Sequence, residues 1–401
     1  MYLFNPENDL ALANFTPNYT PPASATRLAE ELAVLPIWYA GVDTRPVGRD
    51  NDEPHVIAGG ELNLPFLETI KEILSVKVSL VSFSDIALCP HREVFPWGWN
   101  PALRKKLILS GVSRELLPSP EDLIRLRRYS SRLHAVEILR ELQVEAQTGA
   151  GSFCGESHFF TDPEKLFAWL KSLSGNKVLK MPLSGSGKGL IWILGGITDK
   201  QQDWCLRVIR EQGGVVAEPM LHKVQDFAME FYLQEGKALF AGYSLFTAAA
   251  SGAYMGNELL SDARIEEKLS SLVSIELLHR LRNSLSEKLS SRFPLYTGYA
   301  GVDMMVCETP GGYRIQPCVE INMRMNMGMV AHIFHERYMH SAAEGKFVVD
   351  YFKNPGNALF FHEKMQRESP LKVENGKILS GYLSLTPVTK STGYIAYVNV
   401  F

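Results

Sequence analysis

Asp303-Met304-Met305-Val306-Cys307 and, after a short interval, Pro317-Cys318-Val319-Glu320-Ile321-Asn322-Met323-Arg324 are two apolar runs threaded with oxygen-bearing side chains. Successive side chains along a strand alternate between faces, so Glu320 and Asn322 point the same way, and Arg324 continues the row if the strand reaches it. Between the runs lies Glu308-Thr309-Pro310-Gly311-Gly312-Tyr313, and Gly-Gly is a favoured two-residue hairpin turn. Pairing Pro310 with Tyr313 across that turn puts Asp303 directly opposite Glu320. Two facing carboxylates repel unless a cation lies between them. Two acids and a carboxamide are hard oxygen donors of the kind that share magnesium with nucleotide phosphates. The hairpin is therefore expected to carry a divalent-metal site made of Asp303, Glu320 and Asn322.

Upstream, Val178-Leu179-Lys180-Met181 and Leu190-Ile191-Trp192-Ile193-Leu194 read as strands on either side of a loop holding Ser184-Gly185-Ser186-Gly187-Lys188-Gly189. Glycines let backbone N–H groups approach phosphate, and Lys188 adds positive charge at the tip. The loop is not a Walker A motif, because Pro182 stands where its first glycine belongs and Gly189 where Ser or Thr should follow the lysine. It also lacks the dinucleotide-binding spacing. Read alone, a plain exposed hairpin explains it equally well. Asp162 followed by Pro163 opens a helix that Gly175 closes, and residues 199–212 look helical. Val215 to Pro219 is a strand, and Asp226 to Leu233 pairs with Ala238 to Leu245 across Glu235-Gly236. One long helical stretch, Ala263 to Arg292, precedes the metal hairpin. Ser131 caps a helix carrying Leu133, Val136, Leu139 and Leu142 on one stripe.

The first 120 or so residues alternate short apolar runs with amphipathic segments, which suggests an α/β layer ending near Pro118-Ser119-Pro120. Asn5, Glu7, Asn8 and Asp9 form a polar knot, read either as a capped turn or as a set of substrate contacts. Ala248 to Asn257, with Tyr254 among glycine and alanine, is expected to be a mobile loop that covers an acceptor. Met323, Met325, Met327 and Met329 alternate after the motif as core residues. His332 and His335 are spaced i, i+3, but ordinary packing is preferred to a zinc site. At 401 residues, 46% hydrophobic and 21% charged, the chain is an ordinary globular protein with room for two or three domains. A formal net charge of -3 argues against nucleic-acid binding through a dense basic field. The five cysteines are scattered without CxxC pairs, which fits reduced thiols. No apolar run of about 18 residues is present, and Met1-Tyr2-Leu3-Phe4 passes straight into Asn5-Pro6-Glu7 without a signal-like core. A cytoplasmic protein with neither nucleic acid nor membrane as partner is expected.

Lys180, the glycine loop, Glu218-Pro219-Met220-Leu221, Asp226, Asp303 and Glu320-x-Asn322-x-Arg324 follow one another in the order of the ATP-grasp superfamily. From about Ser131 to Ala331 the chain resembles those enzymes, with D-alanine:D-alanine ligase and biotin carboxylase as the members compared. The resemblance implies a mixed α/β and α+β protein. An amino-terminal α/β domain on the substrate side (1–120) would precede a linker helix and small lobe (121–217) and a large lobe with the metal site (218–361). A C-terminal β segment (362–401) would pack on the large lobe, and both lobes would be built on antiparallel sheets. It further implies that Lys180 and Arg132 contact the nucleotide phosphates, with Ser186, Gly187 and Lys188 closing over them. Glu218 and the backbone at Met220 and Leu221 would meet adenine, and Asp226 the ribose hydroxyls. Asp303, Glu320 and Asn322 would bind Mg2+, with Mn2+ as the other metal, and Arg324 and Lys188 would act at the transferring phosphoryl group. D-Alanine ligases carry an arginine two residues before the aspartate, where this chain has Gly301. That enzyme's substrate chemistry is therefore not implied.

What the resemblance implies for activity is an ADP-forming ligase that joins a small-molecule carboxylate, of amino-acid or peptide type, to an amine through an acyl phosphate, and a homodimer is a further expectation. A carboxylating or phosphotransfer enzyme and a non-catalytic nucleotide-binding protein are the alternatives. Taken singly, the residues also have plain readings: Lys180 as a strand-edge lysine, Glu320 with Arg324 as an ion pair, Asn322 as a turn former.

Overall fold

The computed structural model describes residues 1–42, 53–89, 92–147, 153–185, 189–249 and 252–401. It is a mixed α/β chain that divides into two compact units. One comprises Met1–Ile124, Met255–Arg264 and Arg324–Phe401, and the other Arg125–Tyr254 and Ile265–Met323. No helix among the described residues is long and apolar enough to cross a membrane.

The interior unit contains two antiparallel sheets. The smaller has the order His158–Phe160, Val215–Pro219, Lys177–Lys180, Leu190–Ile193. Helices Pro163–Ser172 and Asp199–Gln212 pack on it through Leu166, Leu170, Cys205 and Val208, which meet Leu179, Ile193, Val215 and Ala217. Both helices begin where their sequences say. Asp162 accepts from the Glu164 N–H (2.9 Å) ahead of Pro163, and Thr198 forms a capping box with Gln201.

Four long strands make the other sheet, in the order Gly312–Asn322, Gly298–Thr309, Lys223–Gln234, Lys237–Ala248. Helix Leu133–Gln147 packs on the first of these strands and Ile275–Arg292 on the last. Lys288 joins the two helices through Glu145 (2.6 Å), and Arg292 through Glu137 and Glu141. The expected single helix over 263–292 is two, Asp262–Ser270 and Ile275–Arg292. Ser274 takes an extended conformation and accepts from the Leu277 N–H (3.2 Å). A serine hydroxyl satisfies backbone donors better at a helix entrance than within a helix.

The hairpin differs from expectation at its tip and agrees at its base. Thr309 pairs with Gly312, so Pro310-Gly311 forms the turn, one residue earlier than the Gly-Gly reading places it. Asp303 nevertheless pairs with Glu320, because Pro317, Cys318 and Val319 bulge opposite the single residue Met304. Pro317 has no N–H to give the ladder. The buried Gln316 amide takes over there, accepting from the Cys318 N–H (2.7 Å) and donating to the Cys318 carbonyl (3.2 Å). Gly155 permits this, since a Cβ at that position, where φ is +99, would lie 2.5 Å from Gln316 Cγ.

The terminal unit has a parallel sheet in the order Ser79–Val81, His55–Ile57, Tyr2–Leu3, Phe95–Pro96. Met1, Leu3, Ile57 and Ile86 share its core with Leu103 and Leu107 of helix Pro101–Leu109. An antiparallel array accompanies it, with Gly345–Tyr351, Tyr394–Val400, Lys377–Ser384 and Lys372–Glu374 paired in that order. Residues 254–257, expected within a mobile loop, belong instead to strand Tyr254–Leu259, whose Gly256–Leu259 pair with Gly345–Val348. Helix Met327–Tyr338 is buried on most sides and stacks Phe334 and Tyr338 edge-on against Trp38, with centroids 5.3 Å apart. Met323, Met325 and Met329 are core residues, as read from their spacing, whereas Met327 of the same row is only half-buried.

Candidate functional site

In the interior unit the sheet pairings gather most of the residues singled out by sequence. Lys180 and Glu218 lie diagonally across adjacent strands, since Val178 pairs with Glu218 and Lys180 with Val216. Their side chains, each 8% exposed, meet at 2.7 Å. Ser157 donates to the other oxygen of Glu218 (2.9 Å). A carboxylate held by two donors fixes the lysine rotamer, and a buried cation on a rigid strand is poised for an anion.

The acidic row stands on the long sheet. Asp303 and Glu320 face each other in register, and Asn322 Nδ2 donates to Asp303 Oδ2 (3.0 Å). That orientation turns the amide oxygen of Asn322, the atom suited to a hard cation, away from Asp303. Arg132, 6% exposed, connects this row to the start of the glycine loop. Its Nη2 donates to Glu320 Oε1 (2.6 Å), and its Nη1 to the Met181 carbonyl (2.6 Å) and Ser184 Oγ (2.7 Å). Among the described residues the buried Nε of Arg132 has no hydrogen-bond partner. Among the described residues no three His, Cys, Asp or Glu side chains converge as a metal cluster. Two carboxylates and a carboxamide nevertheless fit magnesium, which keeps few protein ligands and completes its shell with phosphate and water.

Asp226, at the start of the same sheet, pairs with Lys223 at 2.5 Å, and burial raises its carboxyl above the ordinary range, against the lowering pull of Lys223. Met220 is exposed, and its N–H donates to the Asn176 carbonyl (2.9 Å); Leu221 is half-buried beside it. Ser186, Gly187 and Lys188 lie outside the described residues.

Arg324 lies in the terminal unit, where its guanidinium meets Asp9 side-on. The rest of the polar knot is a braced turn. Asn5 Nδ2 donates to the Gly98 carbonyl (2.8 Å) and Asn5 Oδ1 accepts from the Gly98 N–H (3.3 Å). Asn8 is buried against Asn100, which caps the next helix by accepting from the Leu103 N–H (2.9 Å). Ser157, Ser184 and Asp9 escaped sequence reading as partners of Glu218, Arg132 and Arg324. They lie 61, 52 and 315 residues from those partners, and no local pattern records such pairings.

No family model and no curated protein sequence matches the chain. Among solved structures, the fold is similar to N5-carboxyaminoimidazole synthetase from Staphylococcus aureus complexed with ADP, at 12% identity and a TM-score of 0.46, over 82% of this chain and 83% of that one. It is similar to biotin carboxylase from Campylobacter jejuni in complex with β,γ-ATP, at 11% identity and a TM-score of 0.48, over 83% and 80%. It is similar to L-amino acid ligase from Bacillus licheniformis, at 13% identity and a TM-score of 0.44, over 88% and 94%. Likeness this distant assigns no residue, substrate or reaction to this chain.

Proposed function

We propose that the protein is an ATP-dependent, ADP-forming ligase of ATP-grasp type that joins a small-molecule carboxylate to an amine. The observation that carries the reading is the row Asp303, Glu320 and Asn322, bridged by Arg132 to Ser184 at the root of the glycine loop. The cation donors, the phosphate donors and Ser184 at the start of the glycine loop then belong to one compact unit.

Lys180 and Arg132 carry the positive charge that phosphates need, and Glu218 with Ser157 keeps the lysine in place. Asp226 accepts from ribose, and the backbone at Leu221 with the Met220 carbonyl reads the adenine edge. Lys188 and the loop around it exclude water. Magnesium, held by Asp303, Glu320 and Asn322, would neutralise charge on the phosphates. A substrate carboxylate oxygen attacks the γ-phosphorus, the bond to the bridging oxygen breaks, and ADP leaves. An amine then attacks the acyl carbon, expels phosphate and loses a proton. Positioning and charge neutralisation supply most of such a rate, and the side chains present are of that kind.

A coupled ADP-release screen of amino acids and dipeptides with Mg-ATP, run beside Glu320→Ala, tests the proposal. ADP and phosphate should accumulate with a matching amine, and the variant should lose turnover. AMP with pyrophosphate as products, or an unimpaired Glu320→Ala, would refute it. ADP release that responds to bicarbonate alone would reassign the chain to carboxylation.

A further inference from the structure

We propose that Arg132 competes with the divalent cation for Glu320, so that metal enters the acidic row only when an anion replaces Glu320 on the guanidinium; the inference deepens the ligase reading above and rests on it. Every group involved belongs to the interior unit. Arg132 Nη2 donates to Glu320 Oε1 (2.6 Å), and the two side chains are 6% and 26% exposed. The guanidinium is also held through its other nitrogen, since Nη1 donates to the Met181 carbonyl (2.6 Å) and to Ser184 Oγ (2.7 Å). Its backbone is fixed as well, with the Arg132 backbone N–H donating to the Pro182 carbonyl (3.0 Å).

Asp303 and Glu320 face each other in register, and facing carboxylates repel. Two donors offset that repulsion, the guanidinium on Glu320 and the Asn322 amide on Asp303 (3.0 Å). They do at the carboxylates what a cation does, and they occupy oxygens that a cation needs. A metal that takes Glu320 Oε1 displaces Nη2, and one that takes the other oxygen sits against a second positive charge in a partly buried site, where repulsion is strong. Arg132 is constrained in turn. Its Nε has no hydrogen-bond partner among the described residues, and a buried guanidinium stripped of its carboxylate is strongly destabilising. A phosphate oxygen matches the guanidinium as well as a carboxylate does and removes that cost. Cation and anion therefore load together, as they arrive in a metal-bound nucleotide.

The test uses the full chain with Mn2+ alone, reading free metal by electron paramagnetic resonance, and compares the wild type, Arg132→Gln, Glu320→Gln and the double variant. Arg132→Gln should tighten Mn2+ binding about 10- to 100-fold, the change that corresponds to one hydrogen bond to a charged group. No gain should appear in the Glu320→Gln background. Inorganic phosphate should tighten Mn2+ binding by the wild type and leave Arg132→Gln unchanged. If Arg132→Gln does not fold by circular dichroism, Arg132→Lys replaces it. Lysine keeps the charge without the fork that spans Glu320 and Ser184, so a smaller gain over the wild type is expected. Equal Mn2+ affinity in the wild type and the Arg132 variant would overturn this inference alone, provided calorimetry shows the wild type binding Mg-ATP. A gain that persists in the Glu320→Gln background would overturn it too, since a charge acting through space gives that result, and so would phosphate acting alike on both proteins. No Mg-ATP binding by the wild-type chain would remove the underlying reading together with it.

Discussion

Glu218 shows how much a single buried acid can depend on its neighbours. It is 6% exposed and holds both Lys180 and Ser157. Removing one partner of a buried pair strands the other charge, so Glu218→Ala should cost about 3–5 kcal/mol in urea unfolding, in addition to any loss of nucleotide affinity. Replacing both with apolar side chains of similar volume should restore much of the stability and none of the affinity, a contrast that separates folding from binding. Lys180, Glu218 and Asp226 could be picked out of the sequence because their residue types recur at fixed order along the chain. Their geometry could not. That Arg132 bonds Glu320 follows from contacts between residues 188 apart, and no window of sequence contains both.

Among the elements, the hairpin is where reading and structure part most instructively. The Asp303–Glu320 pair was reached by counting back from an expected Pro310–Tyr313 pair across the turn. The pairing register near the tip was off by two residues, and the base agrees because the bulge at Pro317–Val319 absorbs two residues. Proline in a strand does signal a bulge, but its size is set by the Gln316 amide, a tertiary arrangement. Gln316→Leu should therefore destabilise by about 1–3 kcal/mol for each Cys318 backbone group left unsatisfied. It should also weaken Mg-ATP binding, both measurable on one preparation by chemical unfolding and calorimetry. Gly155→Ala should be destabilising as well, since the added methyl meets Gln316 and φ is positive there. Helices with a strong cap, such as Asp199–Gln212 behind Thr198, were legible to the residue. The split at Ser274 was not, because an apolar stripe persists through both helices, with Ile265 and Leu269 buried in one and Leu278 and Leu281 in the other.

Across the whole molecule, protonation ties stability to pH. His134, His335 and His362 are held below their ordinary 6.5, first of all by burial; Glu137 pulls His134 back up, and Arg292 lowers it further. The unfolded chain takes up these protons before the folded one does, so stability is complete above 6.5 and is lost as pH falls through the folded values. Glu7 and Asp226 run in the opposite sense. Burial raises both, and what they contribute is present at low pH and lost as pH rises through their raised values. His55 is lowered by burial as well, and with four such bases against two acids the melting temperature should drop between pH 7 and pH 5.5. His134→Gln should flatten that slope and Asp226→Asn should steepen it, as scanning calorimetry at several pH values would show.

The division of the chain also fixes an order of assembly. Every residue of the interior unit has been synthesised once Met323 is added, whereas the other unit still lacks Arg324–Phe401. At about 5–20 residues per second that segment takes several seconds to synthesise. During that time the parallel strands near the start of the chain wait without the partners that complete their unit, and Asp9 waits without Arg324. A chain released just beyond Met323 would then hold every residue of the interior unit together with an apolar amino-terminal segment in need of a chaperone.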